Sequence, residues 1–293
     1  MCRMFAFMSR VSLQVQRSLV KAENALHVQS REHPHGWGIA YYLAGEVEPH
    51  RVRSVEAAFT DAKFQRVSEF LTSHAVVAHV RKATVGDVRV ENTHPFQWGP
   101  FTFCHNGTIF GFEHIRDELL SFVHPRFRAL VTGGTDSEVL FFLALTVLEA
   151  SGYDLESPPK GIPPRFREDL AELLGWIRKL SRASGDDPRE PMLNFVLTDG
   201  RVLAATRFNG GLSFSTQKVR CADYDICPIA NKVCFGPRRH AIRHTHLLLA
   251  SDPTSPDDVW EEVPNRGLLT LDSDFRLHVG PLPGLDGPDP WYP

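Results

Sequence analysis

The sequence predicts an α+β layered fold with mostly antiparallel sheets. Three observations lead there: short apolar runs rich in β-branched or aromatic residues in the first third, long helical patterns in the middle, and a return to short strand-like runs beyond residue 190. Alternating βαβ units would interleave strand and helix throughout, and they do not. Residues 75–80 and 101–104 read as buried strands because polar or Gly-containing segments follow each, and 37–42 is a third. Residues 136–148 are apolar nearly all round, with no Gly or Pro, which predicts a buried helix with Thr135 or Asp136 as its cap.

Between Arg165 and Leu180 the residues Phe166, Leu170, Leu173, Leu174 and Ile177 keep helical spacing, so an amphipathic surface helix is expected. Pro- and Gly-rich stretches at 157–164 and 184–191 bracket it as loops. Strand-like segments follow at 193–197, 202–206, 212–215, 246–250 and 268–271, and from Gly280 onward Pro and Gly are too frequent for regular structure. One domain over 2–280 is expected. Its motif-bearing half is 2–145, a β-rich half at 190–280 completes the same sandwich, and 281–293 is an irregular tail.

Composition narrows the function. Of 293 residues, 42% are hydrophobic and 23% charged, which is ordinary for a globular chain. The formal charge is −3 and no basic run stands out, so a nucleic-acid partner is not expected and a small molecule is. No stretch is long and apolar enough to span a bilayer, and the apolar start at 4–8 is cut off by Arg10 before it could act as a signal peptide. The expectation is a cytoplasmic protein. Five cysteines (Cys2, Cys104, Cys221, Cys227, Cys234) are too few and too scattered for a disulfide framework, so reduced thiols are expected. The last three lack the spacing of a zinc site and have no histidine at ligand distance, so neither metal nor cofactor is expected.

Five segments carry chemistry. Cys2 becomes the first residue when the initiator methionine is removed, which places a thiol (reference pKa about 8.5) and an α-amine (about 8) on one residue, a nucleophile and base without a histidine. Many chains carry an early cysteine by chance. Cys104-His105-Asn106-Gly107-Thr108 follows a predicted strand; Asn-Gly is a hairpin-turn signal, and an Asn amide beside a backbone N–H is equally the donor pair an oxyanion needs. In Ala78-His79-Val80-Arg81-Lys82-Ala83-Thr84 an arginine ends a strand, either at the surface or facing a ligand. Asn92-Thr93-His94-Pro95-Phe96 is the fourth. Gly133-Gly134-Thr135-Asp136-Ser137-Glu138 opens a helix, where Asp136 taken alone reads as a helix cap.

Taken in this order, with the glycine-rich His35-Gly36-Trp37-Gly38-Ile39-Ala40, these segments resemble the glutaminase domain of the class II glutamine amidotransferases, which are N-terminal-nucleophile hydrolases. The resemblance implies a four-layer αββα sandwich. It makes Cys2 the nucleophile, its α-amine the base, and Asn106 and Gly107 the oxyanion hole. It sets Arg81 on the substrate α-carboxylate and Asp136 on the α-ammonium, with Thr84 and His94 as supporting residues. Where the family often has Trp after the arginine, this chain has Lys82.

No Gly-rich phosphate loop follows, and 248–253 with 260–264 is similar to the end of stand-alone members that hydrolyse γ-glutamyl compounds of glutathione or ergothioneine metabolism. Hydrolysis of a γ-glutamyl amide, glutamine or a conjugate, is therefore the expected activity. The alternatives are a glutaminase subunit feeding ammonia to a separate synthase, and an inactive binding module.

Overall fold

The computed structural model describes residues 2–185, 189–220 and 245–285. Among them the strands run, in chain order, β1 (Arg3–Gln14), β2 (Trp37–Tyr42), β3 (His50–Ser54), β4 (Thr72–Val80), β5 (Phe96–Trp98), β6 (Phe101–Thr108) and β7 (Met192–Thr198). They continue with β8 (Leu203–Arg207), β9 (Ser213–Ser215), β10 (His246–Ala250), β11 (Glu261–Glu262), β12 (Gly267–Leu271) and β13 (Leu277–Pro281). The α-helices are α1 (Leu26–Gln29), α2 (Ala62–Phe70), α3 (Phe112–Phe122), α4 (Pro125–Arg128), α5 (Asp136–Ala150) and α6 (Phe166–Ala183). None is long and apolar enough to cross a membrane.

Two antiparallel sheets form, in the orders β11-β9-β10-β1-β4-β2-β3 and β13-β12-β8-β7-β6-β5, so each sheet mixes strands from both halves of the chain. Period-two alternation makes the layers. On β1, Met4, Ala6 and Met8 meet Cys104, Val196, Ala205 and Leu269 of the other sheet, while Phe5 and Phe7 turn outward to Leu26 of α1 and Phe64 of α2. On β6, Phe103 turns the other way from Cys104, into the core under α3, α5 and α6. The result is the four-layer α+β sandwich, helices outside and sheets inside.

Several sequence expectations hold to within a residue or two. β2 is 37–42, β10 is 246–250, and α5 is capped by Thr135, whose hydroxyl accepts from Glu138 N at 3.3 Å. α6 buries Phe166, Leu170, Leu173, Leu174 and Ile177 as its spacing predicts. Others need correction. The apolar start, not assigned as a strand from the sequence, is part of β1, which runs through Arg10 to Gln14 with the guanidinium over the Phe275 ring at 5.0 Å. Gly280 and Pro281 do not begin an irregular tail but close β13, an edge strand, where a proline without an N–H is tolerated. Asn106-Gly107 is no hairpin turn, since both lie within β6 opposite Asn194 and Leu193 of β7. The Cys221, Cys227 and Cys234 cluster lies outside the described residues.

Tyr42 supplies one of the polar contacts that join the two sheets. Tyr42, fully buried at the end of β2, brings its hydroxyl to Pro100 O (2.7 Å), Thr102 Oγ1 (3.0 Å) and Thr198 O (3.0 Å), all on the opposite sheet or its connections. Phenylalanine would keep the ring and orphan these groups, which costs about 1–3 kcal/mol. The expected outcome for Tyr42→Phe is a lower urea midpoint with an unchanged m-value. An unchanged midpoint would mean that the hydroxyl does not tie the sheets together.

Candidate active site

The site begins with the register of β1. Arg3 pairs with Val80 of β4, and Trp37 of β2 pairs with the same Val80 from the other side. The residue before Arg3 is therefore delivered to the place where β4 ends. Lys82 N donates to Cys2 Sγ at 3.3 Å, and Sγ lies 3.5 Å from Lys82 O. The β2 ladder continues past β4, with Arg81 N donating to Gly36 O (2.8 Å) and His35 N to Arg81 O (3.0 Å); Ala83 N donates to His35 Nδ1 at 3.0 Å. The glycine-rich segment thus braces residues 81–83 from behind. A Cβ on Gly38 would come within 2.1 Å of His94 O, so that glycine allows the 92–95 segment to lie against β2.

Cys2, Arg81, Thr84, His94, Gly107 and Asp136 line one narrow pocket, together with Lys82, Ala83, Val85, His105, Thr135 and Ser137. Asn106 is not in its lining. It sits behind, buried, with Nδ2 donating to Ser251 Oγ at 3.0 Å. Alternation along β6 explains the split: His105 shares the face of Phe103 and points at α5, while Asn106 shares the face of Cys104 and points at the first sheet. Gly107 admits no other residue, because a Cβ there would stand 1.8 Å from Met192 O and 2.5 Å from His105 Nε2.

Arg81 is buried and its guanidinium is partly occupied. Nη1 donates to Asp87 O (2.9 Å) and Nη2 to Val85 O (3.0 Å) and Gly86 O (3.1 Å), so the arginine folds the loop after β4 around its own head. Of its five N–H groups, Nε–H and one on Nη1 remain for a ligand. Asn92 ties the same loop to the start of α5: Nδ2 donates to Asp87 O (3.0 Å) and Oδ1 accepts from Gly134 N (3.3 Å). Thr84 Oγ1 is 3.2 Å from Thr108 Oγ1 at the rim.

Asp136 is a buried carboxylate at the first position of α5, where the partial positive charge of the helix N-terminus favours it. The cap is Thr135, so Asp136 is released from that task. Oδ2 accepts from Ile109 N at 2.8 Å, and Oδ1 lies 3.2 Å from Ser137 Oγ. His105 Nε2 reaches Met192 O (3.0 Å) and Nδ1 reaches Ser137 Oγ (2.8 Å). Burial lowers the His105 pKa, against the pull of Asp136, so the ring is neutral. A carbonyl only accepts, so Nε2 carries the proton and Nδ1 is left as an acceptor. The single Ser137 hydroxyl proton is within reach of both His105 Nδ1 and Asp136 Oδ1, and the carboxylate oxygen keeps further lone-pair capacity for a ligand.

Burial pushes the Cys2 thiol above its ordinary pKa, while the Lys82 N–H and the Arg81 charge pull it back. The thiol therefore rests protonated and needs a base. His94 cannot be that base by hydrogen bonding, since both ring nitrogens lack partners; its ring packs 4.2 Å from His79 and 4.7 Å from Phe96. Among the described residues no group of three or more His, Cys, Asp or Glu could hold a metal ion.

Sequence reasoning did not assign Asn92, His105 or Ser251. The first two stand inside motifs singled out for their neighbours. Ser251 is 145 residues from Asn106, and only the pairing of β10 with β1 brings it there.

The buried histidines set a testable pH dependence. Burial drives His79 down to about 3 and His33 to about 4, each far below the ordinary 6.5. Above about pH 6.5 neither folded nor unfolded chain protonates these rings; below it the unfolded chain takes up protons that the folded chain refuses until its own pKa is reached. Stability should therefore fall as pH drops from about 6.5 toward 4, by up to about 1.4 kcal/mol per unit for the fully buried His79 and by less for His33, where solvent screens part of the effect. Urea melts across that range should show a shallower loss in His79→Phe. An identical slope would mean that His79 is not held neutral by the fold.

Known proteins resemble this chain over nearly its whole length. Residues 1–275 match the family described as glutamine amidotransferases class-II. A probable glutamine amidotransferase of Saccharomyces cerevisiae is 26% identical over 92% of this chain and 82% of its own. A γ-glutamyl-hercynylcysteine sulfoxide hydrolase of Mycobacterium tuberculosis is 26% identical over 92% of this chain and 93% of its own. A solved glutamine aminotransferase class-II domain protein from Silicibacter pomeroyi superposes with a TM-score of 0.59 at 23% identity, covering 96% of this chain and 99% of that one, which bears on the fold.

Proposed function

This chain belongs to the class-II glutamine amidotransferases, and from that premise we propose that it hydrolyses a γ-glutamyl amide through a thioester on Cys2. The observation that carries the reading is the convergence of a thiol, a buried arginine with spare N–H groups and a buried carboxylate with lone-pair capacity to spare on one narrow pocket. An amino-acid head group fits those charges. Arg81 would take the α-carboxylate with its remaining N–H groups, and Asp136 Oδ1 the α-ammonium, with Thr84 at the rim and His94 as the packed wall.

The chemistry needs no group beyond the chain. With Met1 removed, the free α-amine of Cys2 accepts the thiol proton; the thiolate attacks the side-chain carbonyl carbon, and the oxyanion is held by Asn106 Nδ2 and Gly107 N. The ammonium returns its proton to the leaving nitrogen as the C–N bond breaks. Water, deprotonated by the same amine, then attacks the thioester, the thiolate leaves and is reprotonated, and glutamate departs. The substrate class is a γ-glutamyl conjugate in preference to glutamine, a reading supported by the γ-glutamyl hydrolase that matches this chain nearly end to end.

Two measurements test this. Intact mass should show loss of Met1, and protein with an uncleaved N-terminal extension should fold but release no glutamate; full activity with the extension would remove the α-amine from the mechanism. In steady-state kinetics over glutamine and a panel of γ-glutamyl peptides, a conjugate should exceed glutamine in kcat/KM, because contacts to a larger leaving group can be used in the transition state. If glutamine is best and a synthase raises its turnover many-fold, the chain is a glutaminase subunit instead.

A further inference from the structure

The Asn106 Nδ2 that the proposed mechanism gives to the oxyanion is occupied in the structure by Ser251 Oγ. With Nδ2 on Ser251 Oγ, the other end of the carboxamide, Oδ1, is buried with no hydrogen-bond partner. Leaving a buried carbonyl oxygen unpaired is costly, and here the remedy is local. Ser251 Oγ already accepts from Met4 N at 3.1 Å, while Ser251 N donates to Met4 O at 3.0 Å. The lone pair of Oγ facing β1 is thereby used, and its own proton is free to donate. A carboxamide turned by 180° presents Oδ1 to that proton. Oδ1 then accepts from Ser251, and both N–H groups take the buried vertex that has no partner in the protein, where a ligand oxygen can receive them.

We propose that Ser251 is a positioning residue for the reaction: it receives Met4 N–H, donates to Asn106 Oδ1, and so aims the Asn106 N–H groups at the substrate oxygen. This rests on the reading of Asn106 as an oxyanion donor. It also couples the two halves of the site, since Met4 lies two residues from Cys2 and Ser251 touches both the strand that carries the thiol and the amide that stabilises the product of its attack. The neighbouring Asp252 pairs with Arg3 of the same strand, 2.5 Å between Nε and Oδ2.

The test is a double-mutant comparison on the Met1-processed, full-length enzyme with one γ-glutamyl substrate, reading kcat and KM separately, together with the rate at which iodoacetamide alkylates Cys2. Asn106→Ala should lower kcat about 10²- to 10³-fold. Ser251→Ala should lower kcat about tenfold or more with little change in KM and normal alkylation, Ser251→Thr should recover most of it, and Ser251→Ala added to Asn106→Ala should cost nothing further. Additive losses in the double variant, or a Ser251→Ala effect confined to KM or to alkylation, overturn the proposal. Should Ser251→Ala not fold, Ser251→Cys, with a weaker donor, carries the comparison: its kcat falls below that of Ser251→Thr, and equal values overturn the proposal. Normal kcat in Asn106→Ala would instead overturn the oxyanion reading on which it rests.

Discussion

Everything at the site depends on β1 being held as a two-faced buried strand. It pairs with β4 on one side and β10 on the other, and its side chains fill the inter-sheet core and the outer core in alternation. A strand fixed along both edges and both faces has no freedom in register, because a slip of one residue would turn Phe5 and Phe7 into the space of Met4 and Ala6. The thiol just before it is thus placed by the whole sandwich rather than by its own contacts, which amount to one backbone N–H donor and a neighbouring carbonyl.

The rest of the pocket is built by three loop connections that share hydrogen bonds. Arg81 gathers the carbonyls of 85–87, Asn92 joins that loop to Gly134, and Asp136 holds Ile109 N at the end of β6. Each of these groups is buried and satisfied mainly by backbone, so the charges are preorganised without a direct Arg81–Asp136 ion pair in the structure. A ligand carrying an ammonium and a carboxylate would supply the counter-charges, the arrangement in which buried charges are least costly.

How much of this was legible in the sequence follows the range of the interactions. β2, β10, α5 and α6 were readable because their signal is a local period. β1 was not, since a strand buried on both faces has no alternation and Arg10 interrupts its apolar run. β3 and α2 carry too few buried residues to show a face. Cys2, Arg81, Gly107 and Asp136 could be named from their motifs, but whether Asn106-Gly107 turned the chain or continued a strand was decided only by its partner β7, far along the sequence. Ser251 stood within the 248–253 segment, but nothing local tied it to Asn106, which only the pairing of β10 with β1 brings near.

The central claim is that Cys2 forms the covalent bond. Its most direct measurement is the intact mass of Met1-processed enzyme quenched in acid during turnover of a γ-glutamyl substrate, with peptide mapping of the product. The account predicts a population heavier by one glutamyl group, carried on the N-terminal peptide and absent in Cys2→Ala, which should also release no glutamate. An adduct mapped to any other residue, or glutamate release that survives Cys2→Ala, would contradict it.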